Sequence, residues 1–289
     1  MTDSDAAQAT QRLLEVMSRL LGPNGCPWDR QQTHHSLVPY LLEEAYELAE
    51  AIDRGLPKKA GEATPDAVKA VKEELGDVLL QVVFHSQLAK QEGSFDFAEV
   101  AAGLADKLVE RHPHVFAREQ LNSADEVSDA WDRRKLAGRE SRLDGIPANL
   151  PALMLASKTS SRAAKAGFEW GAAGEIYARI QEELEEFKSA MKEQSPDAPR
   201  PGPELAADRS VPGDDAEMEF GDLLFCMVQL ARWSNINPER ALRRASEKFA
   251  RRFRHMEQSL RSQGRDPSTV STDEWWALWD AAKREVSNI

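Results

Sequence analysis

Cysteine is scarce in this 289-residue chain: there are two, Cys26 and Cys226, and no CxxC. That excludes a cysteine-ligated zinc site and fits a reducing, cytoplasmic setting. Cys226, inside "LLFCMVQLA", reads as a buried, inert residue. No apolar run reaches about 18 residues, so no membrane span is expected. The opening stretch "MTDSDAAQAT" is polar and acidic, unlike a secretory signal peptide. Basic charge is in deficit as well, with 37 Lys and Arg against 49 Asp and Glu, a net charge of −12. Such an excess argues against broad binding to nucleic acid or anionic membranes. Phosphate ligands stay within reach, because a divalent cation bridges carboxylates to phosphates.

Strand-like alternation is missing too, and apolar residues recur instead at spacings of three and four, the signature of helices. Expected helices run over roughly 6–21, 35–54, 67–92, 96–111 and 124–137, then over roughly 152–166, 174–193, 215–234, 238–263 and 272–287. The fold class is therefore all-α. Between the two series lies "AGRESRLDGIPANLP", with two glycines and two prolines, which reads as a linker. The expected domains are 1–137 and 152–289, joined by 138–151. A proline-rich stretch over 194–214 is expected to be a flexible loop in the second half.

The halves look like tandem copies of one module. "EEAYE" (Glu43, Glu44, Glu47) is answered by "EELEE" (Glu182, Glu183, Glu186). "EELGDVLLQVVF" is answered by "EMEFGDLLFCMV", which aligns Glu74 and Asp77 with Glu219 and Asp222. Lys107 and Arg111 match Lys248 and Arg252, and Trp131 and Lys135 match Trp279 and Lys283. Four landmarks keep one order in both halves.

On a helical wheel of about 100° per residue, Leu41, Ala45, Leu48 and Ile52 form an apolar stripe, with Glu44 at its border and Glu43 and Glu47 further round. Glu74 borders the stripe of the next helix in the same way, followed by Asp77. Two helices packed by these stripes would gather four or five carboxylates along one edge of their seam. Carboxylates that close raise one another's proton affinity. A hard divalent cation with oxygen ligands relieves the repulsion, and Mg²⁺ prefers a few carboxylates plus waters and phosphates. Lys248 and Arg252 share a helix face and suit phosphate oxygens; Trp279, with Lys283 one turn away, suits stacking on a base. The plainer alternatives are a solvated acidic face and a core tryptophan. The acidic helices also carry more apolar surface than a lone hairpin buries, so each module is expected to pair with its counterpart in a homodimer.

Other chemistries fit less well. Neither ExxD motif has the Glu-x-x-His of a carboxylate-bridged di-iron bundle. "GPNGCPWD" lacks the phosphate-cradling glycine pattern, and Trp28 within it reads as a packing anchor. His112 and His114, around Pro113, read as a helix-terminating turn, and His34 and His35 as cap or surface residues.

"GCPWDRQQTHHSLVPYLLEEAYEL", "EELGDVLLQVVFHSQLA" and "DKLVERHPHVF" closely resemble the MazG family of nucleoside triphosphate pyrophosphohydrolases. "KAGFEW", "EELEE", "EFGDLLF" and "EKFARRFR" resemble the second domain of its two-domain bacterial members. The resemblance implies all-α modules whose four-helix core is completed by dimerisation. It further implies Mg²⁺, with Mn²⁺ as an alternative, and hydrolysis of an NTP or dNTP at the α-phosphorus to NMP and pyrophosphate. A part in cleaning nucleotide pools is compatible with it. Carried over by motif, Glu182, Glu183, Glu186, Glu219 and Asp222 would be catalytic and hold the metal. Arg179, Lys248, Arg252, Trp279 and Lys283 would contact the nucleotide, and Glu43, Glu44, Glu47, Glu74 and Asp77 form a second candidate site. "GDDAEME" stands before Glu219 where the family leads one to expect a lysine, whereas the first half has Lys69 and Lys72 near Glu74. The second half is nonetheless expected to be the catalyst. The alternative is that one or both halves serve non-catalytic nucleotide sensing or dimerisation.

Overall fold

The structure, a computed structural model, describes residues 3–56, 62–117, 123–136, 138–192 and 214–285. Up to residue 213, the proline-rich stretch lies outside them. The regular structure among the described residues is helical, with no strand among them. They fall into two compact units, Met1–Lys135 and Leu136–Ile289.

In the first unit α1 spans Asp3–Leu20, α2 Val38–Gly55, α3 Pro65–Gln91, α4 Phe97–Arg111, α5 Pro113–Phe116 and α6 Ala124–Leu136. The starts follow local chemistry. Thr64 caps α3 by accepting from the Ala67 N–H at 3.3 Å, and Pro65 fills a first-turn position where no N–H is needed. Asp96 and Glu99 close a reciprocal capping box on α4. His112 ends α4, as the sequence suggests, and also begins the short α5, which the sequence reading did not contain. The core joins Met17 and Leu21 of the α1 end, Leu37 before α2, and Val83, Phe84 and Leu88 of α3.

In the second unit α7 spans Ala152–Lys165, α8 Ala173–Lys192, α9 Asp214–Trp233, α10 Pro238–Ser262 and α11 Thr272–Glu285. Gly167, at φ 98°, ends α7 in a left-handed turn in which the Phe168 N–H reaches the Ala163 carbonyl and the Gly167 N–H that of Ala164. This 6→1 and 5→2 pair fixes where "FEW" leaves the helix. Asn237 caps α10 through the Arg240 N–H at 3.0 Å. Ile176, Val228, Met256, Leu260 and Ala282 are buried on α8 to α11. The segment expected as a linker is tied to α7, where Arg162 donates to the carbonyls of Arg142 at 3.0 Å and Asp144 at 2.7 Å.

The two most extensive helix pairings are α2 with α3 and α8 with α9, one hairpin per unit. Each leaves apolar side chains exposed: Leu42, Tyr46, Leu75 and Leu79 on the first, Tyr177, Phe220, Leu224 and Met227 on the second. Ala45 and Ile52, read as part of a buried stripe, are also exposed.

Candidate metal centres on the two acidic hairpins

The hairpins bring carboxylates together as the helical spacing requires. Glu44 of α2 meets Glu74 and Asp77 of α3, with one oxygen from each lying within 4.8 Å of the others. Glu183 of α8 meets Glu219 and Asp222 of α9 within the same limit. Of five acids expected at each place, three converge. Glu43 and Glu47, and likewise Glu182 and Glu186, stand outside the groups and are exposed. They still act electrostatically: Glu47 raises the proton affinity of Glu74, and Glu186 that of Glu183.

Glu183 is the most buried of these acids, at 3% exposure. Its Oε2 is buried without a hydrogen bond, and its Oε1 lies 2.6 Å from the Arg179 guanidinium and 4.0 Å from the Cys226 thiol. Burial pushes its pKa up, Arg179 pulls it back, and Glu186 and Asp222 add repulsion. Arg179 also pairs with Glu182 at 2.7 Å, so one side chain steers two carboxylates one turn further along α8. An arginine in that position reaches towards anionic oxygen of a ligand as readily as towards carboxylate.

In the first module Glu44 is raised by burial and then by Asp77, Glu47, Glu74 and Glu43. Every charged neighbour that shifts it is a carboxylate. Tyr40 stands where Arg179 stands in the repeat, and its ring meets Trp28 edge-on at 6.0 Å. Trp28, expected as a packing anchor, is about half exposed. Lys69 pairs with Glu73 at 3.6 Å.

The basic and aromatic landmarks form a second group, on α10 and α11. Arg252, nearly buried, lies over the Trp279 ring at 5.5 Å, and Phe249 packs on the same ring at 5.2 Å. Arg111 lies over Trp131 at 5.3 Å, so the repeat reproduces a cation–π contact. Lys248 is half-buried, and Lys283 pairs with Asp280 at 2.6 Å. Trp279 is thus partly packing surface.

A family model for the MazG nucleotide pyrophosphohydrolase domain matches residues 32–116 and again 174–257, together more than half of the chain. The chain belongs to the MazG family. Each match contains one acidic hairpin, so both units are MazG modules. The chain is 38% identical over 284 residues to a protein of Escherichia coli strain K12 named nucleoside triphosphate pyrophosphohydrolase, covering 96% of this chain and 98% of that one. It is 40% identical over 273 residues to nucleoside triphosphate pyrophosphohydrolase/pyrophosphatase MazG of Thermotoga maritima, covering 94% and 95%. Protein YabN of Bacillus subtilis is 39% identical over 272 residues, which is 93% of this chain and 50% of that protein.

Three features of the MazG modules were missed in the sequence. The Cys226 thiol faces the Glu183 carboxylate, with Gln81 buried at the corresponding place. Glu169 and Arg232 form an ion pair at 2.6 Å. Phe168, Trp170 and Gln229 line a cavity beside α9. Only the "KAGFEW" motif signalled any of this, and it carries no spacing that points to a particular helix.

Among the described residues no helix is long and apolar enough to cross a membrane.

Proposed function

We propose that the second MazG module hydrolyses nucleoside triphosphates at the α-phosphorus, giving nucleoside monophosphate and pyrophosphate, with Mg²⁺ held by Glu183, Glu219 and Asp222. The observation that carries this is the convergence of those three carboxylates within 4.8 Å, with Glu183 buried and one of its oxygens unpaired. An all-oxygen donor set of carboxylates suits Mg²⁺, and Mn²⁺ next. When bound, the cation supplies charge neutralisation to the triphosphate and lowers the pKa of water.

The chain's own residues divide the remaining work. Arg179, held by Glu182 and Glu183, offers a planar guanidinium to phosphate oxygens. Water attacks the α-phosphorus, the bond to the bridging oxygen of the β-phosphate breaks, and pyrophosphate leaves. Glu186, three residues beyond Glu183 and within its electrostatic reach, takes the proton of the water. Lys248 and Lys283 add positive charge on α10 and α11, where Arg252 is braced by Trp279. The names of the Escherichia coli and Thermotoga maritima relatives, both nucleoside triphosphate pyrophosphohydrolases, support the reaction.

The first module holds a comparable acidic group with Tyr40 in the place of Arg179, and we assign it a metal-binding, non-catalytic role. The exposed apolar faces of both acidic hairpins favour a homodimer in which two hairpins close one four-helix core. Light scattering at micromolar concentration should give a dimer; a monomer would remove this part.

The test of the reaction is product analysis with ATP, GTP, CTP, UTP and their deoxy forms, with and without Mg²⁺. NMP and pyrophosphate are expected only with metal. NDP and phosphate, or no turnover, would sink the proposal.

A further inference from the structure

We propose that His34 and His85 form a proton-sensitive clasp, which pins the approach to α2 onto α3 at neutral pH and releases it in mild acid. This goes beyond the reaction proposed above and does not depend on it.

His34, read from the sequence as a cap or surface residue, is half-buried in the turn before α2. That turn is closed by its own side chains. The Thr33 N–H donates to the Ser36 hydroxyl at 2.9 Å, and the Ser36 N–H to the Thr33 hydroxyl at 3.1 Å. Leu37, which follows, is 2% exposed and joins the core with Val83, Phe84 and Leu88 of α3. His85 stands among those α3 residues and meets His34 through the two Nδ1 atoms at 2.7 Å. The ring centres are 5.0 Å apart and the ring planes differ by 11°. That separation is the full sum of the 2.7 Å contact and the two ring radii, so the imidazoles lie edge to edge in nearly one plane, not face to face. Two nitrogens so placed are joined by one proton in a straight N–H···N bond.

The vacant nitrogen can then be identified. Two neutral imidazoles carry two protons on four nitrogens. One proton lies between the Nδ1 atoms. The other belongs on His34 Nε2, 3.7 Å from the Glu92 carboxylate, which attracts an N–H and repels a lone pair. His85 is thus the donor through Nδ1, and its Nε2 is the one open position. A third proton must enter there, where the nitrogen is buried and no acceptor among the described residues would receive its N–H. A fourth would set two N–H groups against each other and must break the pair.

Burial, and then His34, hold the His85 pKa below its ordinary value, in keeping with that cost. Among the described residues no charged group of α1, α2 or α4, the helices packed on α3, adds to the shift, and Lys90 of α3 is turned to Asp96. Unfolded histidines take up protons as pH falls through about 6.5. The folded pair resists, so the unfolded chain binds more protons there and the clasp weakens as pH falls. The raised carboxyls of Glu44 and Glu74 act in the opposite sense, because the native chain gains their protons first. Leu230 stands where the acidic motifs of the second module place the counterpart of His85, so the clasp belongs to the first module.

The experiment uses the full chain, without added metal, between pH 7.5 and pH 5.5. Long-range proton–nitrogen NMR of the histidine rings should show His85 protonated on Nδ1 and bare on Nε2 at pH 7.5, and titrating below about 6.5. Hydrogen exchange, corrected for the intrinsic effect of pH, should become at least about tenfold faster over residues 33–41 at pH 5.5, with little change in the second unit. His85→Asn offers an amide N–H in place of the Nδ1–H and has nothing to titrate, so its protection over 33–41 should not respond to pH. A proton on His85 Nε2 at pH 7.5, or a His85 that titrates at or above about 6.5, overturns the proton count and the proposal with it. Unchanged protection of 33–41 in the native chain at pH 5.5 also overturns the clasp, as does a response that persists in His85→Asn. Should His85→Asn fail to fold, the two measurements on the native chain decide.

Discussion

The α2–α3 and α8–α9 hairpins carry the same carboxylates in the same register, yet their surroundings have diverged. Glu183 is steered by Arg179 and backed by the Cys226 thiol, whereas the charges that shift Glu44 are all carboxylates. Behind the acids, the first module packs Met17, Leu21 and Phe84 into its core, while each module keeps a cavity of similar size, one on the α1–α3 seam and one between α7 and α9. The lesson is that ligand spacing on two packed helices survives duplication easily, because it needs only two turns of helix. What a metal centre does depends on neighbours that the spacing leaves free to change.

The sharpest way to break this comparison is to remove one acid from each module. Asp222→Ala should lower NTP hydrolysis at least about a thousandfold, equivalent to about 4 kcal/mol of barrier. Asp77→Ala should leave turnover within about twofold. Equal losses would end the functional asymmetry. Next in size is the packing contrast. Phe84→Ala should destabilise the first module by about 3–5 kcal/mol, as expected for emptying a packed core position. Gln229→Ala, which removes one hydrogen bond at the edge of a hollow, should cost about 1 kcal/mol. Urea unfolding of each variant measures both, and similar costs would mean that the two seams are packed alike.

Arg179→Met sharpens the electrostatic contrast. It should cut kcat/KM about tenfold and raise the proton affinity of Glu183 further, moving the acidic limb of the pH–rate profile upward. An unmoved limb would show that Arg179 does not steer Glu183. The pH dependence of metal binding tests what the modules share. Glu44, Glu74 and Glu183 have raised pKa values, with burial as the largest cause in each. Native protein therefore holds protons that the unfolded chain has lost just above the ordinary carboxylate range, so metal-free stability should fall as pH rises through it. A divalent cation displaces those protons, so calorimetric Mg²⁺ affinity should increase from pH 5 to pH 7.5. Affinity independent of pH would contradict the raised carboxylates. The smallest effect concerns the repeated cation–π contacts. Arg111→Met and Arg252→Met should each cost about 0.5–2 kcal/mol, read as comparable falls in Tm. Clearly unequal falls would show that the two contacts are not equivalent.

Much of this architecture was legible in the residues. Ten helices announce themselves through apolar periodicity, and the acids nearest the stripes, Glu44 and Glu74, are among those that converge. The cavity between α7 and α9 was not legible. Thr159, Ala163 and Gln229 look like unremarkable helix residues until α7 and α9 are packed with a cavity between them. Nor did spacing show that Arg252 lies over Trp279, since α10 and α11 meet across a turn whose geometry a wheel does not contain. Ala45 and Ile52 were misplaced for a related reason: a hairpin buries only the part of each stripe that faces its partner, and the rest stays exposed.

By itself the sequence determined the all-α class, the duplication and the grouping of acids on α2, α3, α8 and α9. Those properties follow from helical repeat and residue order alone. Tertiary structure decided which three acids of five meet, which of them is buried, and where packing leaves a hollow. Those depend on distances between residues remote in the chain, set when whole helix faces compete for the same interior space.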